Sequence, residues 1–309
     1  MDEKISVIIC TKDRKNDLLE CIKSVCGQTL LPNDVVIIDS SEKPENILET
    51  RDLPNQEIKI RHIHTTKPGL TRQRNIGIEN CQGTYLMFLD DDTVLDRDYI
   101  KEVMRIFDIY KKEKIGGVIG RVIENDNKGI KRFLWHCNQL YSTVFLLPRC
   151  GDGKFQLSGS PTVINTHCVK EIKKIEYLQG CNMTFRREVF DEFRFDEKLP
   201  GSTSGWIGED DDVAYYTSRT HQNLYTPFAK LIHKVSPSAR PDDYNKMKTV
   251  IQISHYLFRK NLPQDSIHKF AFWWATAGLL VKETVMGLKR GNIDGARGFV
   301  SGCKAVLKI

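Results

Sequence analysis

The first hundred residues alternate short apolar runs with helix-like segments, and this alternation limits the fold more than any other feature of the 309-residue chain. Runs rich in β-branched or aromatic residues are typical of strands buried on both faces, and they occupy residues 5–10, 34–39, 58–63 and 85–89. Apolar residues recur at helical spacing in between, and a glycine turn opens a helix-like segment over 69–78. The pattern predicts an α/β domain with a mostly parallel sheet, helices on both faces and right-handed crossovers.

Polar and acidic residues follow the predicted strands, and such sheets bind ligands beyond the carboxyl ends of their strands. Thr11 follows the first strand, Asp39 ends the second, and the run Asp90-Asp91-Asp92 follows the fourth. Three adjacent carboxylates repel one another unless a cation or solvent relieves them. In an extended stretch Asp90 and Asp92 project to the same side, which suits a Mg²⁺ or Mn²⁺ ion that also takes phosphate oxygens. An exposed acidic turn is the alternative, but the apolar strand before the run favours the metal site.

A second acidic run, Glu209-Asp210-Asp211-Asp212, is flanked by apolar and aromatic residues that include Trp206. A partly desolvated carboxylate there is a candidate general base for the hydroxyl of an acceptor. A helix N-terminus, where acids interact favourably with the helix dipole, explains the same run without catalysis. The residues alone leave both interpretations open, and each can hold for different members of the run.

Two arginines and a histidine complete the set of candidates. Arg72 and Arg74 lie in the first turns of the predicted helix after Gly69, where they can donate to a diphosphate or a base, although a solvated basic helix start is the commoner case. His233 lies in a strand-like run, where a single histidine is more often structural than a ligand.

Several of these motifs, taken in order, resemble those of family 2 glycosyltransferases with the GT-A fold. Residues 6–14 (SVIICTKDR), 38–40 (IDS), 69–77 and 88–92 (FLDDD) resemble the nucleotide-sugar half of that family. Residues 180–187 (GCNMTFRR), 208–210 (GED) and His233 resemble the acceptor half. The resemblance covers residues 4–237 and implies a GT-A fold, with a nucleotide-binding sheet flanked by helices.

The resemblance also implies a role for each matching position. The positions implied to bind the nucleotide sugar are Thr11, Asp13, Asp39, Arg72, Arg74, Asp90 and Asp91. Asp92 and His233, with Asp90 as a further candidate, would ligate Mn²⁺ or Mg²⁺ at the diphosphate. Trp206 and Glu209 would contact the acceptor. Asp210, with Asp211 as the less favoured alternative, would remove the proton of the acceptor hydroxyl.

The implied reaction is a single in-line displacement that inverts the anomeric carbon. The donor would be a nucleotide-diphosphate sugar, with a UDP-sugar favoured, and the acceptor a hydroxyl of a glycan or lipid-linked molecule in cell-surface polysaccharide assembly. A sugar-phosphate nucleotidyltransferase is the alternative enzyme, but it would need a glycine-rich loop after the first strand, and residues 11–14 contain no glycine. A non-catalytic module that binds a nucleotide sugar or a metal is the alternative from another class.

The organisation implied by the resemblance is a catalytic domain over 1–239, with a nucleotide-sugar half (1–120) and an acceptor half (121–239), and a basic helical segment over 240–309. Residues 229–309 hold 14 Lys and Arg against 5 Asp and Glu. Basic residues interleave with Phe270, Trp273 and Trp274 in predicted helices, one of them over 265–290, and this combination suits the surface of an anionic membrane. Packing on the catalytic domain or on a second subunit is the alternative.

Composition excludes several other classes of protein. With 40% hydrophobic and 28% charged residues, the chain is neither disordered nor of low complexity. Its nine cysteines form no C-x-x-C pair, which favours reduced thiols over disulfides or a zinc site. Because Met1 to Lys4 leads directly into an apolar strand, we expect no secretory leader and a cytoplasmic protein, peripheral to the membrane if it binds one. Nucleic-acid binding is not expected, since no recognised motif accompanies the basic segment.

Overall fold

The structure, a computed structural model, describes residues 4–43, 58–123, 131–166, 168–200, 208–234 and 242–307. Contacts along the chain divide the protein into two compact units. The first comprises Met1–Asn125, Thr166–Glu197 and Tyr216–Ser236, and the second comprises Asp126–Asn165, Lys198–Tyr215 and Pro237–Ile309. The predicted division into domains after residues 120 and 239 stays a prediction.

The described residues form strands and helices in the following order along the chain. The strands are β1 (Ile5–Thr11), β2 (Asp34–Asp39), β3 (Lys59–His64), β4 (Tyr85–Asp90), β5 (Thr93–Leu95), β6 (Ile115–Ile123), β7 (Arg149–Cys150), β8 (Thr162–Val163), β9 (Lys173–Ile175), β10 (Asn182–Arg186) and β11 (Gln222–His233). The helices are α1 (Lys15–Cys26), α2 (Leu70–Asn80), α3 (Tyr99–Ile109), α4 (Lys131–Val144), α5 (Val189–Glu192), α6 (Glu209–Thr220), α7 (Asp243–Asn261), α8 (Ser266–Arg290) and α9 (Asp294–Leu307).

The first unit is built on one sheet, which among the described residues has nine strands in the order β3-β2-β1-β4-β10-β6-β11-β5, with β9 beside β11. Strands β1 to β4 pair in parallel, and β10 runs antiparallel between β4 and β6. The registers set Thr11 beside Asp39 and Cys10 beside Asp90, so the carboxyl ends of β1, β2 and β4 reach the same edge. The predicted fold class, a mostly parallel α/β sheet of GT-A type with a helical C-terminal region, is confirmed.

The sheet is central because its middle strands are apolar on both faces. Every residue of β2 is buried, and β1 is buried except at Cys10. One face packs on α1 and α3 through side chains that include Leu18, Ile22 and Phe107, all fully buried. Each such side chain contributes about 1.5–3 kcal/mol to folding. This packing fixes the carboxyl edge on which the candidate residues lie.

The second unit is mostly helical and includes the short β7–β8 ribbon. Helices α7 and α9 approach closely because α9 contributes glycines at the contact: a Cβ atom added at Gly298 would lie 2.1 Å from the carbonyl oxygen of Tyr244. A small apolar core forms around Met247, Ile251 and Phe299. The helix predicted over 265–290 is observed as α8.

Some predicted elements differ from the observed ones. The strand predicted over 177–185 begins only at Asn182, because a turn in which the Asn182 amide donates to the Gln179 carbonyl precedes it. The helix predicted over 186–193 shortens to α5, and the weakly patterned segment 124–170 contains α4. In the described parts of the chain, no helix is both long and apolar enough to cross a membrane.

Candidate active site

The end of β4 and the turn after it carry the first acidic run. Strand β5 follows at once and pairs antiparallel with the end of β11, which sets His233 opposite Thr93. His233 Nε2 therefore lies 3.0 Å from Asp92 Oδ1 and 3.9 Å from Asp90 Oδ2. One ligand atom from each of Asp90, Asp92 and His233 lies within 4.8 Å of the other two. The fold thus brings together three predicted metal ligands from distant parts of the chain.

Two carboxylates and one imidazole form a donor set that suits Mn²⁺ or Mg²⁺. The side chain of Asp92 is buried, whereas those of Asp90 and His233 are 31% and 25% exposed, so solvent reaches the cluster from one side. The hydrogen bond to Asp92 and the charges of both acids raise the pKa of His233 above its ordinary value, although burial acts in the opposite direction. These residues fit a divalent cation.

Asp91, between the two acids, contacts residues near the end of β1. Its Oδ2 accepts a hydrogen bond from Thr11 Oγ1 at 2.7 Å, and its Oδ1 accepts one from Arg14 Nη1 at 3.1 Å. Arg14 Nη1 also lies 3.5 Å from Asp92 Oδ2. Burial raises the pKa of Asp91 to about 7, while Thr11 and Arg14 act in the opposite direction. The sequence analysis gave Arg14 no role, although its position three residues after Thr11 was a signal that a positive charge lies near the end of β1.

The two predicted arginines of α2 lie in different environments. Arg74 is only 2% exposed, its Nη2 lies 3.6 Å from Asp90 Oδ1, and it donates to the Gly180 carbonyl at 3.1 Å. Its guanidinium also lies over the ring of Phe195, 5.4 Å from the centroid. Arg72 is more exposed and forms an ion pair with Glu197 at 3.5 Å. Arg74 therefore supports a metal-site acid, and Arg72 has the more accessible cation.

Asp39 and Asp13 meet at Ser41, beside the end of β1. Asp39 is buried, its Oδ1 accepts from the Ser41 amide at 2.8 Å, and its Oδ2 lies 3.1 Å from His62 Nε2. Asp13 adopts a left-handed φ of 55°, and its amide donates to Ser41 Oγ at 2.7 Å. The predicted nucleoside residues therefore cluster at the carboxyl edge, together with His62, which sequence reasoning did not identify.

The acids at the start of α6 do not share one environment. Glu209 is buried, and Asp210 is partly exposed and accepts a hydrogen bond from the Asp211 amide at 3.0 Å. Burial and the charges of the other three acids raise the pKa of Asp211 well above its ordinary value. Trp206, the other predicted acceptor contact, lies outside the described residues.

Asp212, the last acid of the run, is 2% exposed and is held by α7. Its Oδ2 accepts from Lys260 Nζ at 2.7 Å and its Oδ1 from Asn261 Nδ2 at 3.0 Å. This carboxylate therefore anchors the start of α6 to α7. Lys260 is a further residue that the sequence patterns did not single out.

An apolar cavity of about 230 Å³ lies in the second unit beside Asp211. Its lining includes Phe155, Tyr215, Leu257 and Phe272, and the rings of Phe155 and Tyr215 meet edge to face at 5.4 Å. An ionisable group with a raised pKa beside a cavity is a candidate functional site. The second acidic run thus combines an anchoring carboxylate, Asp212, with Asp211, a carboxylate of raised pKa beside the cavity.

Curated relatives share sequence with much of this chain. Glycosyltransferase GlyA of Streptococcus pneumoniae serotype 4 is 22% identical over 213 residues, which are 68% of this chain and 27% of GlyA. A GalNAc(5)-diNAcBac-PP-undecaprenol β-1,3-glucosyltransferase of Campylobacter jejuni is 21% identical over 221 residues, which are 69% of this chain and 62% of that protein. The chain thus spans about a quarter of the first relative and less than two thirds of the second.

Solved structures confirm the fold. The crystal structure of GalNAc-T7 with UDP, GalNAc and Mn²⁺ superposes with a TM-score of 0.58 at 15% identity, over 91% of this chain and 57% of that one. The model of the family described as "Glycosyl transferase family 2" matches residues 6–194, which include the first acidic run, Arg74 and the 180–187 motif. This chain belongs to glycosyl transferase family 2.

Proposed function

We propose that this protein is an enzyme that transfers a sugar from a nucleotide-diphosphate sugar, with a UDP-sugar favoured, to a hydroxyl of a glycan or lipid-linked acceptor. The observation that carries the proposal is the cluster of Asp90, Asp92 and His233 at the sheet edge of a family 2 glycosyltransferase. Carboxylates and an imidazole at this edge match the needs of a cation that bridges a diphosphate. Inversion at the anomeric carbon follows from a single displacement.

Asp92 and His233, with Asp90 as third ligand, would hold Mn²⁺ or Mg²⁺. When bound, the cation offsets the negative charge that develops on the leaving diphosphate. Arg74 and Arg14 orient the carboxylates of the run from the protein side, so the ligand oxygens are in place before a donor arrives. UDP and Mn²⁺ in the GalNAc-T7 structure support this choice of donor and cofactor.

Asp210 is the proposed general base, and Asp211 the less favoured alternative. A carboxylate accepts the proton of the acceptor hydroxyl as the oxygen attacks, which makes that oxygen a better nucleophile. The ion pair with Lys260 supports an anchoring role for Asp212, because Lys260 and Asn261 engage both of its oxygens. Glu209 and Trp206 remain proposed acceptor contacts.

The proposed acceptor is a lipid-linked or other glycan, as in cell-surface polysaccharide assembly. The support is the name of the Campylobacter relative, which describes a glucosyltransferase acting on an undecaprenol-linked saccharide. The cytoplasmic location expected from the sequence stays a prediction.

The donor site is tested by thermal unfolding with UDP, dTDP, GDP and CDP, each with and without Mn²⁺. A ligand at about 100 times its Kd stabilises a protein by roughly 2.7 kcal/mol, which shifts Tm by several degrees. We expect a shift with UDP that needs the metal and disappears in Asp92→Ala. Asp108→Ala, which removes an exposed carboxylate of α3, is the matched control and should keep the shift. The absence of a shift with all four nucleotides would contradict the donor site.

The base is tested with Asp210→Asn. Because proton transfer acts in the transition state, this variant should lose transfer but keep the metal-dependent UDP shift. Full turnover would contradict the role of Asp210. A wild-type protein that shows the shift without transfer or hydrolysis of the sugar nucleotide would favour a binding module, and one that forms sugar nucleotide from a nucleoside triphosphate and sugar phosphate would favour a nucleotidyltransferase.

A further inference from the structure

An exposed apolar stripe runs along α8. Its members are spaced by three, four or seven residues, which places them on one face of the helix. They are Ile267, Phe270, Trp274, Val281, Val285 and Leu288, and each is between 39% and 69% exposed. With a rise of about 1.5 Å per residue, the stripe is about 30 Å long.

Helix α4 extends this stripe sideways. Trp274 Nε1 donates to the Val144 carbonyl at 2.8 Å, and Tyr141 Oη donates to the Gly278 carbonyl at 2.6 Å. The ring of Phe145 stacks on Trp274 with centroids 4.9 Å apart. These contacts fix α4 beside α8, and α4 adds Leu140 and Val144, which are 68% and 53% exposed. We refer to these two residues and the six of the stripe as the α4/α8 face.

Within the α4/α8 face, Trp274 takes part in the packing of α8 on α4, and the other members of the stripe remain exposed. Helix α8 buries an adjacent face, which includes Ala271, Phe272 and Ala275, and Gly278 is buried against Phe145 between Trp274 and Val281 of the stripe. Contiguous exposed apolar surface of this kind marks an interaction site in soluble proteins.

The charges around the face indicate which partner covers it. Helix α8 carries Lys269, Lys282, Lys289 and Arg290 against one acid, Glu283. Helical spacing places Lys282 and Lys289 beside the stripe. A second copy of the chain would bring like charges together across a symmetric interface, which opposes association. Anionic headgroups would complement them.

We propose that the α4/α8 face docks on an anionic lipid surface, with α8 lying in the plane of the headgroups. The apolar side chains of the stripe would enter the boundary between headgroups and acyl chains, and the lysines beside the stripe would reach phosphate groups. The proposal does not depend on the donor site, which lies in the first unit.

The test is flotation of the full chain with vesicles of phosphatidylcholine, with or without phosphatidylglycerol. We expect the wild-type protein to bind the anionic vesicles at low salt. Phe270→Ser should bind at least about tenfold more weakly, because burial of a phenylalanine side chain contributes more than the free energy of a tenfold change in affinity. Ile267→Ser is the second variant, in case the first affects folding. Ile109→Ser removes an exposed apolar side chain from the first unit and should bind like the wild type.

The basic residues are tested separately. The double variant Lys282→Gln/Lys289→Gln should bind anionic vesicles more weakly, by roughly fivefold for each lysine removed. Salt near 0.5 M should also weaken the binding of the wild-type protein, because it screens the charges. Lys112→Gln, an exposed lysine of the first unit, is the control. The metal-dependent UDP shift should be unchanged in every variant, which separates loss of membrane binding from loss of the donor site.

Two outcomes would overturn the proposal. One is wild-type protein that does not float with anionic vesicles, or floats equally well after both apolar substitutions. The other is a dimer in sedimentation that Phe270→Ser converts to a monomer, because a second copy would then cover the face.

Discussion

Removing the amine that holds Asp212 should destabilise the second unit. Asp212 is 2% exposed, and its carboxylate accepts hydrogen bonds from Lys260 Nζ at 2.7 Å and from Asn261 Nδ2. Lys260→Met removes the charged donor and leaves the buried carboxylate with the hydrogen bond from Asn261. Breaking a buried ion pair in this way costs about 3–5 kcal/mol. The Lys260 side chain is 34% exposed, and solvent screening reduces the expected loss to about 2–3 kcal/mol. Thermal and urea unfolding measure it, as a Tm lower by several degrees.

Arg259→Met is the matched control for this loss. It removes a positive charge from the neighbouring, exposed position of α7. We expect it to change the free energy of unfolding by no more than about 0.5 kcal/mol. The double variant Lys260→Met/Asp212→Asn should recover part of the stability, because the amide no longer leaves a buried charge unpaired. If Lys260→Met unfolds at the same temperature as Arg259→Met, the anchoring role of Asp212 is wrong.

Three further changes test other parts of the structure. Because burial raises the pKa of Asp91 from 3.8 to about 7, its proton is bound more tightly in the folded state, so metal-free protein should lose stability as pH rises from 4 to 7. Asp91→Asn should remove about 2–3 kcal/mol of the difference in urea stability between pH 5 and pH 8, and an unchanged slope would contradict this. The raised pKa of Asp211 has the same sign, so Asp211→Asn should raise Tm near pH 8 and leave it unchanged at acidic pH; a lower Tm near pH 8 would refute the reasoning. Gly298→Ala places a Cβ 2.1 Å from the Tyr244 carbonyl and should lower stability by about 1–3 kcal/mol in urea unfolding, whereas a gain would show that α7 and α9 can separate freely.

The sheet edge could be predicted from sequence because its signals are local. Each early strand is a short apolar run, and each polar residue that follows one lies at the carboxyl edge by the geometry of a parallel sheet. Asp90 and Asp92 are two residues apart in the sequence, so the sequence alone predicts that their side chains lie close together. His233 has no such signal: the pairing of β11 with β5 brings it beside Asp92, and the family resemblance alone singled it out.

The helices that sequence reasoning did not anticipate depend on contacts between distant segments. Helix α9 contains Gly295, Gly298 and Gly302, and glycine is a poor helix former. These glycines lie at close approaches, as where a Cβ on Gly302 would lie 2.9 Å from the Lys248 carbonyl oxygen. Tertiary packing therefore outweighs local propensity in α9, and no pattern within its own residues shows this. The environments of Asp211 and Asp212 likewise depend on α7, far along the chain.

The charges of the candidate metal site favour a cation together with an anionic ligand. Arg14 pairs with Asp91 and Asp92, and Arg74 lies 3.6 Å from Asp90, so these two guanidinium groups offset two of the three negative charges in the run. A divalent ion would therefore leave the cluster with a positive charge, which a diphosphate neutralises. A run of acids without the arginines would bind the metal more tightly on its own and gain less from the nucleotide. Arg14, which sequence reasoning did not assign, and Arg74, which it assigned to the nucleotide, would therefore make binding of a metal and of a diphosphate mutually dependent.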